Sequence, residues 1–138
     1  MKAFLSFLLL LSFLVSFQNK SSEPASETII TDTILQKNGQ VLSYNVFDKQ
    51  LFKMKRDRTV YSDAYQKRIA KLVEYYLDKN NQTGVQFQLK NPEAKLGYSV
   101  EETDWEGVVY TQIGLFTMGK SNMKTFQWLF YNAKTQEL

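Results

Sequence analysis

The stretch Ser62-Asp63-Ala64-Tyr65-Gln66-Lys67-Arg68-Ile69-Ala70-Lys71-Leu72-Val73-Glu74-Tyr75-Tyr76 decides the fold class. Tyr65, Ile69, Leu72, Val73 and Tyr76 recur at helical spacing behind a serine N-cap and a first-turn carboxylate. Lys67, Lys71, Glu74 and Asp78 fall on the other face, so the helix should lie on a sheet rather than be buried all round. It should end near Lys79-Asn80-Asn81, with Gly84 resetting the chain.

The flanks of this helix read as strands. Upstream, β-branched and aliphatic residues from Thr28 to Phe47 bracket Asn38-Gly39, a pair that favours a type I′ turn with positive φ at both positions. A two-residue loop there sets Leu35 against Leu42, Thr33 against Tyr44 and Thr31 against Val46, gathering Leu35, Leu42, Tyr44 and Val46 on one apolar face. Downstream, Val85, Phe87 and Leu89 alternate with polar residues, and Asn91-Pro92 breaks that strand. Leu96, Tyr98 and Val100 alternate again, an acidic loop follows, and 108–118 and 123–131 form longer strands joined by Gly119-Lys120-Ser121-Asn122. Residues 132–135 read as a turn before a short C-terminal strand or tail. The expected order is ββαββββ: an α+β domain whose curled antiparallel sheet of five to six strands packs on one amphipathic helix, cystatin-like or NTF2-like in architecture alone.

Residues 1–18 have the charged start and apolar run of a secretory signal. The run holds about 15 apolar-dominated residues where a spanning helix needs about 20, so cleavage near Ser16-Phe17-Gln18 is expected, with an uncleaved membrane anchor as the alternative. Leu14-Val15-Ser16-Phe17-Gln18 resembles a bacterial lipoprotein leader, except that Phe17 stands where such leaders carry the lipid-accepting cysteine. Residues 19–27 are polar, contain Pro24 and read as a flexible spacer, leaving 28–138 as a single globular domain. The implied location is exported, periplasmic or extracellular, with membrane contact only transiently through the leader unless it is retained.

Composition excludes much chemistry. The 138 residues contain no cysteine and no histidine, which removes disulfides, thiolate metal sites and every Ser-His or Cys-His nucleophile pair. A net charge of +3 is too small to imply nucleic-acid binding, which also fits export poorly. No cofactor is implied.

Two groups of residues are candidate sites. Lys53, Lys55, Arg56, Arg58, Lys67, Arg68 and Lys71 form a basic stripe suited to an acidic protein face, an anionic glycan or a lipid headgroup, or else a solvated surface. Glu102, Asp104, Trp105 and Glu106 form an acidic contact loop. Carboxylates so close on one loop suit neither a paired-acid mechanism nor the EF-hand spacing. Trp128 reads as core, and Trp105 as sheet-edge packing or an exposed anchor. Asn19-Lys20-Ser21 and Asn81-Gln82-Thr83 fit the N-glycosylation triplet, and Asp32-Thr33-Ile34 resembles the O-glycosylation signal of Bacteroidetes-type envelope proteins, although the expected register turns Thr33 to the apolar face. These features point to an exported, non-enzymatic envelope domain binding a partner, a glycan or an apolar ligand. The alternatives are a secreted inhibitor or immunity-type protein acting on an envelope hydrolase, and an enzyme that works without histidine or cysteine.

Overall fold

The computed structural model describes residues 28–138, so the expected leader, spacer and Asn19 triplet lie outside the described residues. The chain is α+β: β1 (Thr31–Leu35), β2 (Val41–Asn45), β3 (Phe52–Lys55), α1 (Asp63–Lys79), α2 (Thr83–Lys90), β4 (Lys95–Trp105), β5 (Val108–Met118) and β6 (Met123–Tyr131). β1 and β2 make a separate two-stranded sheet, while β3-β4-β5-β6 form an open four-stranded sheet. The expected single antiparallel sheet is thus two sheets, and the larger is mixed, because β3 pairs parallel to β4. No helix among the described residues is long and apolar enough to cross a membrane.

Helix α1 follows its sequence signals. The Tyr65 N–H donates to Ser62 Oγ (3.2 Å), capping the N-terminus, and the Asn80 N–H donates to the Tyr76 carbonyl (2.9 Å) at the other end. Ile69, Leu72, Val73 and Leu77 are buried, each stabilising the fold by roughly 1.5–3 kcal/mol through removal of apolar surface from water. They share one core with Ile34 and Tyr44 of the hairpin and with Tyr98, Val100, Ile113, Leu115, Leu129 and Tyr131 of the larger sheet. The helix is the middle layer, with the hairpin on one side and the four-stranded sheet on the other.

Three local readings are corrected. In the hairpin, Gly39 alone takes positive φ (84°); its N–H bonds the Gln36 carbonyl, and the Gln36 N–H bonds the Gln40 carbonyl. The loop is therefore three residues long, not two, and the register slips by one, to Leu35↔Val41, Ile34↔Leu42 and Asp32↔Tyr44. The slip turns the β1 side chains over relative to β2, so Ile34 joins Tyr44 in the core while Leu35 and Thr33 face outward. Next, residues 83–90 form α2, not a strand: Val85 is buried and Leu89, one turn on, packs against the core, while Phe87 points away. Finally, β4 does not stop at Val100 but runs through the acidic segment to Trp105, and Glu106 and Gly107 (φ 54° and 78°) make the two-residue turn into β5. β5 and β6 have the expected boundaries, and Asn132 closes the C-terminal turn by bonding the Glu137 carbonyl (2.9 Å).

Candidate functional site

The parallel pairing of β3 with β4 sets Lys53 beside Tyr98 and Lys55 beside Val100, on the face that α1 covers. The first two turns of α1 stand opposite, and between strand and helix lies a cavity of about 150 Å³ lined by Lys53, Lys55, Val60, Tyr61, Tyr65, Gln66, Ile69 and Val100. Its floor is aliphatic and its wall aromatic. Tyr61 stacks on Tyr65 with ring centroids 5.6 Å apart, and the Tyr65 hydroxyl is hydrogen-bonded to the Thr111 hydroxyl (2.6 Å), fixing the wall to β5. The rim is cationic: Lys55 Nζ lies 5.7 Å from the Tyr61 ring centroid, and Lys53 donates to Gln66 Oε1. Gln66 Nε2 in turn donates to the Tyr61 carbonyl (3.0 Å), holding the rim to the wall.

One polar atom in this wall is unsatisfied. The Tyr61 hydroxyl is buried and has no hydrogen-bond partner. Burial, and then the carboxylates of Asp57 and Glu102, push it up to about 12; the Thr59 side chain counters this slightly without making a hydrogen bond to it. At neutral pH it is a phenol with a proton to donate. Asp57 is held below the usual carboxylate range, chiefly by the Glu102 N–H (2.7 Å) and then by the Thr59 hydroxyl and N–H, despite the opposing effect of burial. These bonds tie the segment after β3 to β4 and so set the mouth of the cavity.

The seven cations of the basic stripe do not act as one surface. Lys53 and Lys55 flank the cavity, and Lys67 lies beside Lys53 on an adjoining shallow groove with Asp63 and Gln66. Arg56 and Arg58 are exposed beyond β3. Arg68 and Lys71 are occupied within the domain. Arg68 Nε donates to the Tyr131 hydroxyl (2.7 Å) and Nη1 to the Leu35 carbonyl (3.1 Å), while Lys71 pairs with Asp32 (2.9 Å) and donates to the Thr33 carbonyl (3.1 Å). Those two fasten the hairpin to the helix.

The acidic group lies on a hairpin, where strand alternation sets Glu102 and Asp104 on one face and Trp105 on the other, with Glu106 in the turn. Glu102 takes the helix side, where it accepts from the Thr59 hydroxyl (3.3 Å), and Asp104 accepts from the Gly107 N–H (3.0 Å) across the turn. Residues 104–109 are all exposed, and Trp105 is 63% exposed, so it is an exposed residue rather than sheet-edge packing. Trp128, read as core, is 38% exposed. Among the described residues no three carboxylates are grouped to hold a metal ion.

Sequence reading missed β3, Val60, Tyr61 and Gln66 as parts of one site. The signal was present in Phe52-Lys53-Met54-Lys55, a period-two alternation in which two lysines take the inward positions. A charged inner row does not look like a strand of a packed sheet. Comparison with protein-family models, with curated proteins and with solved structures finds no match to this chain. The expected cystatin-like or NTF2-like architecture therefore has no structural relative behind it, and the class stands as an open α+β domain with a small, cation-rimmed cleft.

Proposed function

We propose that this chain is an exported binding domain, and that the cleft between β3 and α1 takes an acidic group carrying a small apolar body, presented by a partner protein, a glycan or a free ligand. The observation that carries the reading is the convergence of an aliphatic and aromatic pocket, two lysine side chains and the unpartnered Tyr61 hydroxyl. A cavity near 150 Å³ is about the size that accepts a six-carbon ring. The lysines supply charge-assisted donors to an anion at the mouth, and Tyr61 supplies a donor whose present burial without a partner is unfavourable.

Benzoate and benzyl alcohol, titrated separately and followed by tyrosine and amide NMR shifts, test it. Benzoate should perturb Tyr61, Tyr65 and Ile69, bind more weakly as salt rises, and lose affinity in Lys53→Gln/Lys55→Gln; the neutral alcohol should bind less well. Equal shifts from both probes, or none, would sink the reading.

A second reading, a secreted inhibitor of an envelope hydrolase, is favoured by the exposed β4–β5 hairpin, whose tip offers Trp105 beside Asp104 and Glu106. Trp105→Ala should then abolish inhibition of the target while leaving benzoate binding unchanged.

A further inference from the structure

β3 is the edge of its sheet, and one side of its backbone is free. The Arg56 N–H bonds the Val100 carbonyl (3.1 Å), and the Phe52 carbonyl oxygen lies against Gly97, so residues 52, 54 and 56 turn their backbone groups toward β4. These directions alternate along a strand, so the N–H and carbonyl groups of Lys53 and Lys55 face away from the sheet. None of those four groups has a partner among the described residues, and every residue of β3 is exposed. The side chains of the same two lysines rim the cleft. Beside its cavity runs the shallower groove of Asp63, Lys67 and Tyr98, which shares Lys53 and Gln66 with it. Lys53 and Lys55 stand one two-residue repeat apart, about 6.6 Å, so a strand laid along the free edge would aim alternate side chains into these two hollows. A free edge beside pockets at strand spacing is how a sheet binds an extended peptide: main-chain bonds hold it, and alternate side chains fill the pockets.

Charge decides what can pair there. A second copy adding its own β3 antiparallel would set lysines against lysines, and like charges directly opposite one another are destabilising. The two hollows carry Lys53, Lys55 and Lys67 against one carboxylate, Asp63, and none of the four makes an ion pair among the described residues. Lys53 bonds the neutral Gln66 side chain, and Lys55 lies over the Tyr61 ring. Asp57, past the end of the strand, is already held by the Glu102 N–H and by Thr59. We infer that β3 accepts an added strand from a partner protein: an extended segment with a small apolar side chain for the cavity and a carboxylate two residues to either side, on the same face. The inference rests on the reading of the cleft given above, and makes a peptide the body that presents the acidic group.

A blocked heptapeptide tests this, with threonine at its odd positions and glutamate, valine and glutamate at its second, fourth and sixth. Calorimetry should find binding that weakens as salt rises, and by about tenfold when lysine replaces both glutamates. In NMR spectra the amides of Lys53 and Lys55 should shift most. A strand shows its partner every second N–H, so methylating the peptide nitrogens of one alternate set should abolish binding, and methylating the other set should leave it intact. On the protein side, Lys53→Pro and Lys53→Gln both remove the cation, but only proline removes the free N–H, and the bonds from β3 to β4 do not use it. Lys53→Pro should therefore bind the peptide about fivefold more weakly than Lys53→Gln, while the two bind benzoate equally. Benzoate binding without peptide binding overturns the added strand and leaves the cleft reading standing; loss of both overturns both. Equal effects of the two methylation patterns, or equal peptide affinity in the two Lys53 variants, also overturn it.

Discussion

Replacing Gly97 by alanine tests the packing of the larger sheet at its tightest point. A Cβ built there would lie 2.5 Å from Phe116 Cζ, 2.7 Å from Phe116 Cε2 and 2.6 Å from the Phe52 carbonyl oxygen. The ring can swing, but the carbonyl belongs to the backbone of β3, so relief requires the edge strand to move from β4. Overpacking of this kind costs up to about 3 kcal/mol, and removing a glycine from a strand returns roughly 0.5–1 kcal/mol, leaving a net loss near 2 kcal/mol. For a domain of this size that is a fall of about 10 °C in Tm, readable by circular dichroism or calorimetry. Because the strained partner is β3, the same variant should also weaken benzoate binding at Lys53 and Lys55. Phe116→Leu in the Gly97→Ala background should cost less than in the wild type, the two sites being coupled through one contact. A Tm within about 2 °C of the wild type would refute the close approach of β3, β4 and the Phe116 ring.

Gly39→Val should lower stability by roughly 1 kcal/mol or more in chemical denaturation, since a β-branched residue resists the positive φ that the hairpin loop requires, while Gly39→Asn should lose less. Arg68→Ala should cost about 2–3 kcal/mol by leaving the buried Tyr131 hydroxyl without its donor, and hydrogen exchange should show the β1–β2 hairpin loosened. Asp57 is bound more tightly as carboxylate in the folded state than in the unfolded chain, so its contribution is present above its ordinary value of 3.8 and is lost as pH falls below it. Asp57→Asn should accordingly flatten the fall of Tm on acidification through that range, a result visible in melts taken at successive pH values.

The sequence made α1 legible because cap, periodicity and stop signal agree, and it gave β5 and β6 the right limits because Gly119 and Asn122 punctuate long apolar strands. Register was harder. Asn38-Gly39 announces a turn, but whether Asn38 also takes positive φ is decided by burial: the three-residue loop puts Ile34 and Tyr44 against α1, where the two-residue loop would have buried Leu35 instead. Val85 and Leu89 satisfy period two and a four-residue helical step equally, and only packing against the core separates them. Glu101 to Asp104 look like a loop since strands that extend past the core lose the apolar alternation that reveals them. The cleft was legible only as its lysines. Its aromatic wall comes from Tyr61 and Tyr65, brought to β3 by a parallel pairing that no local pattern encodes.

That parallel pairing bears on the order in which the domain assembles. Phe52 meets Gly97 only after both helices have been threaded between them, whereas β4, β5 and β6 join through short turns, so the basic edge is the last strand to dock and the first to open. Amide exchange should find residues 52–55 among the least protected of the sheet, and a ligand held by Lys53 and Lys55 should slow their exchange above all others. The cleft would then be a place where occupancy and local folding are one equilibrium, with the bound anion acting as the missing neighbour of a short, four-residue edge.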